Sequence, residues 1–331
     1  YGNKSDKTQI MSELNADNMP HEEKLIRKKA LRQLGKKVVL QKLNSKDYEE
    51  IHDYEHLPLV FARLKSHNVL STLLTQASVE GVFENVENIQ PILSSSLPAI
   101  GQPVIPPKGW DGTGTTVAVL DTGIQVSNTS FGKCSGRIGA SGCKIAIANG
   151  VNGIIDDYNS HGTNVSAIVL GVAPGARIAS YNVFGTSTSA NTSDILKGIN
   201  WVIANKSLYK IVAVNMSLGV PNKGYLSICS GLGFDAAFSS LRSYGINPVV
   251  AAGNDGFNSG ISWPACTSGA TRVGAVSDSG IRAVFSNIAS FLSLMAPGVN
   301  VTAGGVTMSG TSQATPHVSG AIATINPKYP L

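Results

Sequence analysis

A chain of 331 residues is long enough for one large domain and a small one. With 6% aromatics and 35 glycines it suits an α/β protein rich in tight turns, and no run of about 18 apolar residues offers a membrane span. The net charge of +5 is not concentrated as nucleic-acid binding requires, because the one basic cluster, residues 24–37, has acids interleaved and reads as a solvated helix face.

Charge density divides the chain. Residues 1–93 carry 13 Lys/Arg and 13 Asp/Glu, whereas residues 94–331 carry 13 and 8 over a much longer, Gly- and Ser-rich stretch. Residues 1–36 read as a polar extension with a helix near 21–33. From Lys37 a β-branched run Val38-Val39-Leu40, a first strand, opens a compact unit, residues 37–93, with a short helix over 47–53 and a second strand over 57–64. A helix over 68–75 sets Leu70, Leu73 and Leu74 at helical spacing, and closing strands are expected at 79–83 and 86–89. The prediction is a small α+β unit, a sheet with helices on one face. Residues 94–112 are Ser- and Pro-rich and mark a boundary.

Beyond it, short β-branched runs at 116–120, 145–148, 177–182, 211–215, 248–252 and 272–276 alternate with helical patterns at 161–170, 193–205, 233–244 and 312–324. Such alternation predicts a doubly wound, mostly parallel α/β sheet, whose ligand sites lie at the carboxyl ends of strands. Cys134, Cys143, Cys229 and Cys266 all fall in this second unit, without a zinc-type spacing. Three connectivities are open, of which Cys134–Cys143 with Cys229–Cys266 closes the shortest loops. Disulfides and an oxidising compartment are the expectation.

Three motifs coincide with strand ends and helix starts. Val117-Ala118-Val119-Leu120-Asp121-Thr122-Gly123 puts an acid after a buried strand. Ser160-His161-Gly162-Thr163 puts an imidazole at a helix start. Gly310-Thr311-Ser312-Gln313-Ala314-Thr315-Pro316-His317 puts a hydroxyl at another, with Pro316 expected in the first turn. Acyl transfer needs a nucleophile, a base, and an acid to hold the base's tautomer. An esterase of the nucleophile-elbow type is excluded, because Ala314 stands where its last Gly belongs and its triad order differs. Gly112-Thr113-Gly114 precedes its strand and lacks the third Gly of a dinucleotide site.

In the order Asp, His, Ser, these motifs resemble the subtilisin family of serine proteases, from about Gly114 to the last residue. The resemblance implies a secreted serine endopeptidase acting on proteins or peptides, with Ser312 as nucleophile, His161 as general base and acid, and Asp121 as orienting carboxylate. Within Val250-Ala251-Ala252-Gly253-Asn254-Asp255, Asn254 is implied as oxyanion donor, with Gly253 beside it in the substrate cleft. Substrate is expected to pair with Ser217, Leu218 and Gly219 on one side and with a strand at Thr188, Ser189 and Ala190 on the other. Ser262 is placed at the S1 floor, where the lack of an acid disfavours basic P1 residues. His317 is expected to be structural.

The same resemblance makes residues 37–93 a ferredoxin-like inhibitory propeptide, cut between Leu93 and Ser94 in a zymogen that processes itself. Residues 94–331 form the catalytic domain. Leu93 hints at large apolar P1 residues. No cofactor is needed for the chemistry and no metal site is assigned. The loop that holds a tight calcium ion in many subtilisins is missing after Leu170, although weaker calcium sites stay open. A monomer is expected, with no nucleic-acid or membrane partner. Only a short stretch follows Ser312, so a C-terminal truncation is expected. A catalytically silent binding protein on the same fold is the alternative.

Overall fold

The computed structural model describes residues 20–41, 43–76, 79–83, 90–91, 109–134, 137–231 and 233–327. In the front part, helix α1 (His21–Leu40) leads to the antiparallel strands β1 (Tyr48–Asp53) and β2 (Val60–Leu64), then to helix α2 (His67–Leu74). A short strand β3 (Gln90–Pro91) follows. The second part contains β4 (Thr116–Asp121), β5 (Ile145–Gly150), α3 (His161–Val172), β6 (Arg177–Asn182), α4 (Thr192–Tyr209), β7 (Ile211–Met216), β8 (Leu218–Gly219), α5 (Phe234–Ser243), β9 (Asn247–Ala251), β10 (Thr271–Val276) and β11 (Leu294–Pro297). A hairpin of β12 (Val301–Ala303) and β13 (Val306–Met308) precedes α6 (Thr311–Ile325).

Seven strands form one sheet in the order β11-β10-β9-β7-β4-β6-β5, and every pairing in it is parallel. The chain enters at the interior strand β4, passes to the edge at β5 and returns through β6 between the two. It then crosses to β7 on the other side of β4 and winds out through β9, β10 and β11. That reversal is the topological switch of a doubly wound sheet. Side-chain alternation along β4 assigns the two faces. Val117 and Val119 join the core with Val165 and Val169 of α3 and Ala314 and Val318 of α6. Ala118 and Leu120 join the opposite core with Ile195 and Ile199 of α4 and Phe238 and Leu241 of α5. The interior strands are thus covered on both faces, which is why β4 and β7 are buried at every position.

Tertiary pairing overrides local propensity in the front part. Residues 47–53, expected as a helix, form β1, because pairing with β2 half-buries Tyr48 and Ile51. The expected strand at 57–64 starts only at Val60: Leu57 N–H closes a turn onto Tyr54 O, and Pro58 has no N–H for a ladder. Val38-Val39-Leu40 ends α1 instead of opening a strand, so this helix runs across residue 37. Its Lys36 is buried, donates from Nζ to Tyr54 O (2.6 Å) and pairs with Asp53. Residues 79–83 make no strand, and residues 84–89, which hold the other expected strand, lie outside the described residues. Helix α3 runs unbroken to Val172. Both short-loop disulfides form, Cys134–Cys143 and Cys229–Cys266.

The front part rests on the α4 face of the sheet. Tyr54 and Leu57 are fully buried in that core, Tyr54 Oη donates to Ser193 O (2.9 Å), and His56 N–H donates to Asn200 Oδ1 (2.6 Å).

Candidate active site

Asp121 ends β4 and His161 opens α3, and the fold joins them: His161 Nδ1 lies 2.6 Å from Asp121 Oδ1, with both side chains buried. The approach depends on Gly162, since a Cβ there would stand 2.3 Å from Gly123 O. Thr122 ties the two motifs further. Its N–H donates to Asp121 Oδ1 (2.7 Å) and its Oγ1 accepts from Gly162 N–H (2.9 Å). The Thr122 hydroxyl lies 2.9 Å from Asp157 Oδ1, and Asp157 Oδ2 accepts from Thr163 N–H (2.8 Å), capping the first turn of α3. Ser160, just before His161, holds a left-handed backbone (φ 66) with its hydroxyl accepting from Gln125 Nε2 (3.0 Å).

Ser312 is the second residue of α6, in its first turn as His161 is in that of α3. The two first turns are joined on the same side of the sheet by Gln313 Nε2, which donates to Asn164 Oδ1 (3.0 Å). Pro316 is the sixth residue of α6, in its second turn rather than the first. Lacking an N–H, it leaves the carbonyl of Ser312 without a helical donor. Ser217 Oγ fills that place at 2.7 Å, and Ser312 Oγ donates back to Ser217 O at 3.0 Å. Asn215 Nδ2 donates to Ser217 Oγ (2.9 Å), so the pair rests on β7. His317 is buried and donates from Nδ1 to Gln313 O at 2.7 Å, a bond within its own helix.

Asn254 follows β9. Its Oδ1 accepts from both Thr311 N–H and Thr311 Oγ1 at 2.9 Å. A backbone N–H can only donate, so the amide orientation is fixed and Nδ2 is the end turned away from Thr311. Gly253 has φ +100, and a Cβ there would meet Ser262 Oγ at 2.2 Å and Asn287 Nδ2 at 2.4 Å. Ser262 is buried, 3.3 Å from Asp255 Oδ2. An acid therefore does reach Ser262, from the Asn254 loop. Its charge is shared with Asn222 N–H (2.6 Å) and Asn287 Nδ2 (3.0 Å).

Leu218 and Gly219 are paired antiparallel by Pro91 and Gln90, respectively. Thr188 and Ser189 form no strand: Ser189 N–H donates to Ser187 Oγ (3.2 Å) in a bend, Thr188 is exposed, and only Ala190 forms a bridge. Leu93 and Ser94 lie outside the described residues. The buttressing residues Thr122, Asp157, Thr311 and Asn287 were not singled out in the sequence. The spacing of Thr122 and Thr311, each adjacent to a motif residue, is the one signal that points to them.

A parallel doubly wound sheet that sets an acid, an imidazole and a hydroxyl at its strand ends and helix starts holds the side chains that a serine hydrolase needs. Comparison with known proteins narrows the class. Residues 112–331 match the model of the subtilase family. The thermostable alkaline protease of Halalkalibacterium halodurans is 33% identical over 306 residues, covering 86% of this chain and 77% of that protein. Subtilisin Savinase of Lederbergia lenta is 37% identical over 237 residues, covering 67% and 80%. The crystal structure of a cold adapted subtilisin-like serine proteinase superimposes with a TM-score of 0.55 at 29% identity, over 66% of this chain and 78% of that one. The chain belongs to the subtilase family. It is a serine endopeptidase, and its substrates are proteins or peptides.

Proposed function

We propose that Ser312, His161 and Asp121 form the catalytic triad of a self-processing, secreted endopeptidase. The 2.6 Å contact between His161 Nδ1 and Asp121 Oδ1 carries this reading. Donation from Nδ1 to the carboxylate leaves Nε2 as the basic nitrogen. The reading requires the Ser312 hydroxyl, which donates to Ser217 O in the resting arrangement, to turn toward that nitrogen. Oγ then attacks the scissile carbonyl carbon as its proton passes to His161. Collapse of the tetrahedral species breaks the C–N bond, with the proton delivered to the leaving amine. Water attacks the acyl-enzyme by the same steps in reverse. Negative charge on the carbonyl oxygen is met by Asn254 Nδ2 and the N–H of Ser312 at the α6 terminus. No step calls for a cofactor.

Residues 94–331 are the catalytic domain in this reading and the front part is its inhibitor, which takes in α1 from His21 rather than starting at residue 37. The pairing of Gln90 and Pro91 with β8 supports this: a segment two residues short of Leu93 occupies the edge meant for substrate. Cleavage falls between Leu93 and Ser94, and the severed strand stays in the cleft as product. The match to the alkaline protease covers more of the chain than residues 112–331 make up, so it reaches into this front part. Ser217, Leu218, Gly219 and Ala190 line the cleft, Ser262 lies at the S1 floor, and P1 residues are large and apolar. Two disulfides and a relative named as an extracellular serine proteinase, from a Thermus species, support secretion. The enzyme acts as a monomer.

The test is a fluorophosphonate probe on the full chain and its Ser312→Ala variant, with mass spectrometry of the products. Labelling at Ser312 and a new N-terminus at Ser94, both abolished by Ser312→Ala, is the expected result. Labelling elsewhere, or a junction cut equally well in the variant, refutes it.

A further inference from the structure

We propose that Asn287 is a positioning residue, a clamp that fixes the oxyanion loop and couples it to the S1 floor. The inference rests on the reading of Asn254 as oxyanion donor. Asn287 lies beyond β10, in a segment with no motif of its own, and its side chain is fully buried. Its Oδ1 accepts from two backbone N–H groups, those of Asp255 and Phe257, both at 3.0 Å. Its own N–H donates to Gly253 O (2.9 Å). Its Nδ2 faces Asp255 Oδ2 (3.0 Å), Ala252 O (3.2 Å) and Ser262 Oγ (3.2 Å).

These contacts bracket Asn254. Backbone groups of Ala252 and Gly253 before it and of Asp255 and Phe257 after it all bond to one residue. Thr311 holds the side-chain end of Asn254, as described above, so Asn287 is the matching hold on the main chain. An oxyanion donor stabilises developing charge only if it is aimed before the charge appears. The same amide reaches Ser262, so a shift of Asn287 moves the S1 floor and the donor together.

Asn287→Asp is the sharpest probe because it keeps shape and the accepting oxygen. It replaces only the donating end, and it sets a second carboxylate against Asp255. Two such groups side by side hold a shared proton, which raises the pKa of the pair. With that proton present, one donation toward Asp255 is restored. We expect kcat of Asn287→Asp to fall about tenfold or more at neutral pH, the cost of one displaced hydrogen bond being roughly a factor of ten. KM should change less than kcat, and the pH optimum should move to the acid side of the parent's.

The measurement is the pH profile of kcat and KM on a peptide substrate for the full chain, with competent sites counted by fluorophosphonate. The double variant with Asn254→Ala completes a cycle. If Asn287 works through Asn254, its substitution costs little once Asn254 is gone. An unmoved pH optimum, or losses that multiply in the double variant, overturns the proposal. Full kcat in Asn254→Ala alone removes the oxyanion reading, and this proposal with it. Asn287→Ser, smaller and uncharged, replaces Asn287→Asp if the latter yields no competent sites, with the same cycle deciding.

Discussion

Thr311 illustrates how much of this site depends on one side chain outside the motif roles. Its N–H and hydroxyl hold Asn254 Oδ1 at 2.9 Å, and the same hydroxyl oxygen accepts from Gly253 N–H at 3.1 Å. Thr311→Val keeps the backbone bond and the volume but removes both hydroxyl contacts. A buried hydrogen bond of this kind contributes about 1 kcal/mol, and the stranded Gly253 N–H adds to the loss. The expected result is a fall in kcat of about tenfold with KM nearly constant, read on a short peptide substrate. Asn254→Ala removes the proposed donor itself and should cost about 10²–10³-fold in kcat, the range set by oxyanion-donor deletions in the subtilisins. If the Thr311 variant lost more than the Asn254 variant, its part would be in holding α6 rather than in aiming the amide.

At the scale of elements, the two disulfides differ in what they enclose. The Cys134–Cys143 bridge closes 9 residues at the sheet's β5 edge, and Cys229–Cys266 closes 37 residues that include α5, β9, Asn254 and Ser262. Chain entropy lost from the unfolded state gives about 3 kcal/mol for the short loop and about 4 kcal/mol for the long one. Replacing Cys229 and Cys266 with Ser should therefore lower the melting temperature more than replacing Cys134 and Cys143. Only the former should also raise KM, since only that loop carries the cleft. Differential scanning fluorimetry and peptide kinetics check the two halves separately. Elements were legible where burial acts on both faces. The runs that became β4, β6, β7, β9 and β10 are short, built around β-branched or small residues, and buried along nearly their whole length. Strand β1 was misread because Tyr48 and Ile51 are held by a partner strand, which local pattern does not contain. Strands β11, β12 and β13 went unseen, being short segments at the sheet edge or in a hairpin with few buried side chains. Within the site, the groups named by motif were legible because chemistry dictates their neighbours. The reciprocal bonds of Ser217 and Ser312, and the Asn287 clamp, were not. They join residues far apart in sequence through backbone atoms that every residue has.

For the whole molecule, the zymogen proposed above raises the question of how the front part would come away from the α4 face on which it rests. Its hold on α4 runs through Tyr54 Oη to Ser193 O and His56 N–H to Asn200 Oδ1, beside the buried rings of Tyr54 and Leu57. Burial pushes the Tyr54 phenol well above its usual range, so it remains a donor at any physiological pH. Tyr54→Phe keeps the ring and leaves the Ser193 carbonyl without its donor, a cost of about 1–3 kcal/mol. Two histidines add a pH dependence. Burial, then the Lys197 charge across the interface, lowers the pKa of His52 below the ordinary 6.5, against weaker opposing pulls from Asp53 and Glu50. Burial, then Lys29, lowers that of His56, with Glu55 opposing. Release takes His52 away from Lys197, so its docked ring stays neutral at a pH where the undocked one takes up a proton. For His56 only burial against α4 changes, because Lys29 belongs to the front part itself. A depressed histidine pKa leaves docking at full strength above about 6.5 and weakens it as pH falls below that value. The lag before full activity appears, measured on the cut full chain, should shorten steadily below pH about 6.5. His52→Gln with His56→Gln should flatten that dependence, and Tyr54→Phe should shorten the lag by about tenfold at every pH. A lag that lengthens on acidification would rule out these imidazoles as the control of release.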